Sequence, residues 1–410
     1  MSVVKRLMEE EESRGYSRTD KAICASCFDD YAIRDFIAKN ATGPVCSFCG
    51  QRDIRENIAA DGNAVLAFVL RGLWSEYSDV DTEGVPYDSE DDEYIIPVYS
   101  NYDLFHEELA DITDDEDVRD WLINTIHNHQ WCEKDPGVLS PAQGLVAGWR
   151  DFCDAVRYKT RFLFFDSRPK RGPDEPTDIG EEPFYVYPAE LLEELADAVK
   201  QLSLTTPLAA GTLIYRARPH ETAIRFASAT ELGPPHPDQA TAGRMNAAGI
   251  VVFYGALDDE TALSEKPGNE AAISIGTFQL TREAQVLDLT NLPTVPCIFD
   301  RQRRQLRVPI AFIRKFHNDI IEPVQPDRQE HIEYVPTQVV TEFIKLRFTD
   351  QQGKKLDGIM YPSSQRCEGR NLVLFATQEN IEGIQTERYV EPPKLLRMTE
   401  SKTIARRTPL

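Results

Sequence analysis

Residues 241–265 read TAGRMNAAGIVVFYGALDDETALSE. A glycine-flanked loop carrying Arg244 and Asn246 leads into IVVFYGA, a β-branched and aromatic run that suits a strand. The chain then turns to acidic residues and a short helical stretch containing Glu260 and Glu265, with carboxylates at the end where a helix dipole favours them. Polar side chains therefore stand at both ends of an apolar strand, where a sheet exposes them at one edge. Upstream, TLIYRARPHE (212–221) has a strand pattern that puts Arg216 and Arg218, two residues apart, on one face. Downstream, LDGIMYPSSQRCEGRNLVLF (356–375) sets Ser363 in a proline-containing turn between two strand patterns. Further β-type runs, AISIGTFQL (272–280) and AQVLDLT (284–290), alternate with helical PAELLEELADAVKQL (188–202) and RVPIAFIRKFHNDII (307–321). The expected class is α+β, with a mixed or mostly antiparallel sheet over residues 184–390.

The N-terminal part has a different texture. Cys24, Cys27, Cys46 and Cys49 follow C-x2-C-x18-C-x2-C, so two tight knuckles offer four thiolates to a tetrahedral zinc ion. Four sulfur ligands leave no open position for water, which makes the expected Zn2+ structural. Residues 1–55 are read as this zinc module and 56–165 as a mainly helical, acidic region, with 52–74 and 115–131 as its helical segments. Residues 166–183 have the Pro, Gly and charge content of a linker. Five basic residues and one acidic residue among the last 17 give 391–410 the look of a flexible basic tail.

Charge excludes some partners. With 45 Lys+Arg against 68 Asp+Glu the formal net charge is -23, which disfavours general nucleic-acid binding and anionic membranes. Residues 76–120 alone hold 18 carboxylates against Arg119, a net of -17, read as a solvated acidic loop with acidic helix starts such as DDED (114–117), where carboxylates favour the dipole. Residues 205–385 carry only -3, so the total says nothing against an anionic small ligand there. The N-terminus has no apolar core of a signal peptide, which points to a cytoplasmic, reducing setting with free or metal-bound thiols. No G-x-G-x-x-G fingerprint or P-loop is present. His127 and His129, two apart on an expected helix, make a poor metal pair. Arg119 with His127 is similar to the Arg-to-His motif of helical ribonucleases, but seven residues intervene, more than that motif allows, and the surrounding acidity opposes RNA.

Taken together, the C-terminal segments resemble the RES family, named for its Arg, Glu and Ser. The shared wording is an Arg in a YR-type strand, the G-R-x-N-x-x-G loop at 243–249 and a Tyr strand followed by an A-L-x-E helix. The G-I-x-Y-P-S turn at 358–363 and the N-L-V-L-F strand at 371–375 complete it. The likeness covers roughly residues 205–385, and the four cysteines resemble zinc-bearing regions fused ahead of such domains. It implies a fold related to ADP-ribosyltransferases and the consumption of NAD+, by phosphorolysis with inorganic phosphate as co-substrate or by hydrolysis. It also implies the toxin of a toxin-antitoxin pair, restrained by an antitoxin or another regulatory protein. The resemblance places catalytic roles on Arg216, Glu265 and Ser363, and substrate binding on Arg244, Tyr254 and Asn246.

Elementary chemistry agrees with those roles. A guanidinium grips two oxygens of a pyrophosphate while staying charged, which suits Arg216 and Arg244, with Arg218 as a competitor. Leaving nicotinamide builds positive charge on the ribose carbon, which a carboxylate such as Glu265 stabilises, with Glu260 the competing acid. A phenol such as Tyr254 can frame nicotinamide, and Ser363 can donate to a phosphate or orient the nucleophile. Two other readings stay open: a mono-ADP-ribosyltransferase acting on a protein, and an inactive, zinc-stabilised binding module. The additional N-terminal residues are expected to sense or dock a partner or to gate the site.

Overall fold

The computed structural model describes residues 11–90, 92–164, 184–220, 225–266, 272–322, 330–383 and 394–405. The expected linker, 166–183, lies outside them. The chain forms two compact units: Met1–Ser140 with Val295–Arg307, and Pro141–Thr294 with Val308–Leu410.

In the first unit, β1 (Ala22–Cys24), β2 (Ala41–Gly43) and β3 (Ala59–Asp61) make a small antiparallel sheet in the order β1-β3-β2. Helix α1 (Tyr31–Lys39) starts where the Asp30 carboxylate accepts from the Ala32 and Ile33 amides, satisfying two donors that a helix start leaves bare. Helix α2 (Gly62–Glu76) is capped by Asp61 and buries Val65, Leu66, Val69, Leu70 and Leu73. The helix expected from residue 52 therefore begins only at 62, because 59–61 pair as β3 and Asp61 serves as the cap. β4 (Tyr77–Asp79) pairs with β7 (Trp131–Glu133), and β5 (Tyr87–Asp88) with β6 (Glu93–Tyr94). Helix α3 (Glu116–Thr125) has Asp115 as its cap, in keeping with the acidic start read from the sequence. It stops short of both histidines. Ile126 turns extended, so His127 and His129 lie on the loop before β7, not on a helix. His129 Nδ1 sits 2.9 Å from the Asp79 carboxylate.

The core of this unit is closed by a distant segment. Ile298 and Phe299 are buried among Val69, Leu73, Phe105 and Trp131. Phe299 lies so close over Gly72 that a Cβ there would fall 2.2 Å from its ring. Arg307 adds an ion pair to Glu76 at 2.6 Å, and Tyr31 donates to Asp300 at 2.7 Å.

The second unit is built on one mixed sheet. Among the described residues it contains β8 (Thr205–Leu208), β9 (Leu213–His220), β10 (Phe253–Ala256), β11 (Ala272–Leu280), β12 (Ala284–Asp288), β13 (Gly358–Pro362), β14 (Arg370–Leu374), β15 (Ile381–Glu382) and β16 (Leu396–Ala405). Their order is β15-β16-β11-β9-β10-β14-β13-β12-β8, antiparallel except for the pairs β12–β13 and β15–β16. Strand β16 corrects the expected basic tail. Leu396 and Met398 point inward while Arg397 and Lys402 face solvent, so an alternating strand was hidden under a basic average. One face of the sheet packs against α4 (Pro141–Asp154), α5 (Leu191–Gln201), α7 (Arg307–Ile321) and α8 (Val335–Leu346), through Trp149, Leu195, Phe312, Phe316 and Val340 against Leu287, Ile359 and Val373. The other face buries Ile214, Phe253, Phe278, Met360, Leu372 and Met398. With apolar contacts on both faces, the central strands are rigid mounts for the polar groups at their ends. A short helix, α6 (Asp259–Ser264), follows β10 directly.

Candidate functional site

The loop after β9 and before β10 is tied down by its own side chains. Asn246, buried, donates to the carbonyls of Thr241, Ala247 and Ile250 at 2.9–3.0 Å, and its Oδ1 accepts from the Tyr254 hydroxyl at 2.8 Å. The same hydroxyl accepts from the Met245 amide at 2.9 Å. Gly243 lets this happen, since a Cβ there would come within 2.8 Å of both Asn246 Oδ1 and the Tyr254 oxygen. From α8, Gln338 donates to the Gly243 carbonyl and Thr337 to that of Arg244. Asn246 thus spends its polar atoms on the loop and holds Arg244 and Tyr254 in place.

Arg244 donates to the Ile320 carbonyl at the end of α7 and lies 5.4 Å over the Tyr334 ring. Arg216, on β9, sits where β9 and β10 pair at one position, Ala256 with Tyr215. It reaches across to the Tyr254 carbonyl at 2.9 Å and lies 5.4 Å over the Phe253 ring. Its Nε is enclosed without a partner, a buried donor of the kind that an anionic ligand would satisfy. Burial, then the neighbouring Arg218, pull the Arg216 guanidinium down to about 10, still charged at neutral pH. Arg218 is committed elsewhere: it donates to the Glu231 carbonyl and covers the Phe226 ring.

Glu265 caps the C-terminus of α6, and here three segments meet. Ser363, buried in the turn after β13, donates to Glu265 Oε1 at 2.5 Å, within the range of a charge-assisted O–H···O⁻ bond. Asn371, buried on β14, donates to the same oxygen at 2.8 Å. The turn can close on α6 because Gly369 has no Cβ; one there would lie 2.7 Å from Thr261 Oγ1 and 2.9 Å from Ser363. Arg366 pins it further, pairing with Asp258 at 2.7 Å and Glu260 at 2.5 Å. The competing acid Glu260 is therefore an exposed partner of Arg366. Tyr361, on β13, joins the two halves of the site. Burial pushes its phenol well up, helped by Tyr254 and Glu265 and opposed by Arg244, so all four share one neighbourhood. Tyr254 is likewise pushed up to about 12, first by burial.

The arrangement gathers Glu265, Ser363 and Tyr254 around Tyr361, with Arg216 bound to the strand that carries Tyr254. Asn371 and Tyr361 were missed as site residues. Asn371 is visible in the sequence only as a polar residue opening the apolar run NLVLF, and Tyr361 only as the residue before Pro362.

A second site lies in the first unit. The sulfurs of Cys24, Cys27, Cys46 and Cys49 are all within 4.8 Å of one another. The pairs Cys24–Cys27, Cys24–Cys49 and Cys27–Cys46 are 3.7, 3.6 and 3.7 Å apart. Tetrahedral ligation at a metal–sulfur length of about 2.3 Å demands about 3.8 Å, so the four could hold a metal ion. Burial alone would raise the Cys46 thiol, but the backbone amides of Phe48, Cys24 and Cys49 outweigh it and draw it down to about 7. Arg119, the other arginine singled out in the sequence, lies on α3. It is buried, and its guanidinium donates to the Phe105 and Ala110 carbonyls at 2.7 and 3.2 Å and to that of Thr113.

Among the described residues no helix is long and apolar enough to cross a membrane. The family profile described as RES domain matches residues 213–393, and the one described as HEPN/RES N-terminal domain 1 matches 39–170. The first contains every residue of the Glu265 site; the second contains Cys46 and Cys49 but not Cys24 and Cys27. No curated protein and no solved structure matches the chain.

Proposed function

We propose that this chain, which belongs to the RES family, destroys NAD+ by breaking the bond between nicotinamide and ribose. RES domains are linked to NAD-acting toxin systems, which supports a toxin or defence effector acting on NAD+ in the cytoplasm. The observation that carries the reading is the Glu265 carboxylate, with one oxygen held by Ser363 and Asn371, in a site that also holds a part-buried arginine with an unsatisfied donor. As the ribose C1′–N bond breaks, the electron pair leaves with nicotinamide and positive charge grows on C1′. Glu265 stabilises that charge without having to reorganise. Arg216, with Arg244, holds the pyrophosphate, and Tyr254 and Tyr361 frame the departing base. Water or phosphate then bonds to that same carbon, giving ADP-ribose and a proton, or ADP-ribose phosphorylated there.

The metal we take to be Zn2+ in a structural role, since four cysteine ligands leave it no position for water. An enzyme that drains NAD+ needs restraint, which we assign to a partner protein of antitoxin type or to the N-terminal unit. The test is pure protein incubated with NAD+, with and without phosphate, following nicotinamide release. Release in both conditions marks hydrolysis, and dependence on phosphate marks phosphorolysis. Folded protein that releases none in either condition refutes the reading, and ADP-ribose left on a macromolecule would replace it with a transferase.

A further inference from the structure

Glu265 receives both of its hydrogen bonds on one oxygen. Ser363 Oγ and Asn371 Nδ2 donate to Oε1 at 2.5 and 2.8 Å, and among the described residues no donor reaches Oε2. The two donors differ in how firmly they are mounted. Ser363 sits in a turn whose outer residues, Ser364 and Gln365, are exposed. Asn371 belongs to β14, a strand held on both sides, paired to Ala256 of β10 and to Tyr361 of β13. A side chain on a central strand has little freedom to drift, so it fixes the carboxylate's rotation more firmly than a turn can.

We propose that Asn371 is a positioning residue, which clamps Glu265 Oε1 and thereby turns Oε2 toward the ribose carbon. This rests on the NAD+ reading above. It assigns the asparagine no contact with substrate: its amide sets the direction of the charge that Glu265 presents, and the chemistry passes through Glu265. The role requires a donor at the Nδ2 position. Leucine has the volume and no donor. Aspartate has the same shape, opposes Glu265 when ionised, and donates when protonated.

The experiment compares the wild type, Asn371→Leu and Asn371→Asp in the full chain, measuring nicotinamide release across pH, with melting temperatures as the control for folding. Loss of a hydrogen bond to a charged group predicts that Asn371→Leu lowers kcat by about ten- to a hundredfold. KM should stay within about twofold, because the ground state does not use the lost orientation. Asn371→Asp should be as slow at pH about 8 and recover toward the wild-type rate as pH falls to about 5.5, where the pair of carboxyls shares a proton. A merely structural asparagine would not create that acid-side recovery. If Asn371→Leu does not fold, the isosteric Asn371→Asp decides alone. The role is overturned if the wild type turns over NAD+ while Asn371→Leu keeps its kcat, or while Asn371→Asp shows the wild-type pH profile. A folded wild type that releases no nicotinamide overturns the NAD+ reading itself, and this role with it.

Discussion

The 2.5 Å bond from Ser363 to Glu265 makes a quantitative claim about how the two residues divide their work. If Ser363 acts by holding the carboxylate, its effect exists only while the carboxylate is there. Removing a preorganised electrostatic group typically costs about 3–4 kcal/mol of barrier, so Glu265→Ala should lower kcat/KM by about a hundred- to a thousandfold. A hydrogen bond to a charged group contributes about 1.5–3 kcal/mol, which sets the expected cost of Ser363→Ala. Independent residues would add to about 4.5–7 kcal/mol in the double variant. Coupled ones would leave the double close to Glu265→Ala alone, with an interaction energy of about 1.5–3 kcal/mol. The assay is initial-rate nicotinamide release for the wild type, both single variants and the double variant. Additivity within about 0.5 kcal/mol would refute the coupling and return Ser363 to the role suggested by sequence, a donor to phosphate or to the nucleophile.

Three further outcomes are expected from the geometry. The purified chain should carry about one zinc per molecule by mass spectrometry, and Cys46→Ser should lose both the metal and the cooperative melting of the first unit, because metal binding there is folding free energy; retention of zinc would overturn the four-cysteine site. Phe299→Ala should destabilise that unit by about 3–5 kcal/mol in urea unfolding, as for other buried aromatics, and a cost below about 1 kcal/mol would deny the segment a place in its core. Tyr254 has its folded pKa raised above the ordinary 10.0 to about 12, so the fold favours the neutral phenol. That stabilisation is fully present below pH 10 and is lost as pH rises toward about 12. Tyr254→Phe should therefore flatten the alkaline decline in melting temperature over that window, and an unchanged slope would show that the phenol does not contribute.

Most of the second unit could be read from the sequence because its strands are bounded by clear turns and their apolar runs are long. AISIGTFQL became β11 without adjustment, and RVPIAFIRKFHNDII became α7 from Arg307 to Ile321. Strand β16 escaped because charge averaged over a window hides a two-residue period. The helix of the first unit was misplaced at its start because Ala59, Ala60 and Asp61 have no strand signature of their own; pairing with β1 and β2 makes them one. At the site, residue types told of chemistry but not of commitment. Arg216 and Arg218 look alike in YRAR, and only tertiary structure shows that Arg218 is spent on the Glu231 carbonyl while Arg216 keeps an enclosed, unpartnered Nε. Asn246 looks like a substrate contact in the loop motif, yet three hydrogen bonds fasten it to its own loop and a fourth joins it to Tyr254 of β10.

The segment Val295–Arg307 changes what counts as the N-terminal half of this protein. Its Phe299 fills the space over Gly72, so any chain ending at Ser140 would be born with a hole in its core. A ribosome must pass residue 307 before the first unit can close, although a unit made first ordinarily folds first. The portion that carries the RES domain is equally bound by this. Cutting away residues 1–183 to ask whether they restrain NAD+ loss would leave Ile298 and Phe299 with no core to enter. A lineage that shuffled one portion without the other would inherit an exposed apolar surface.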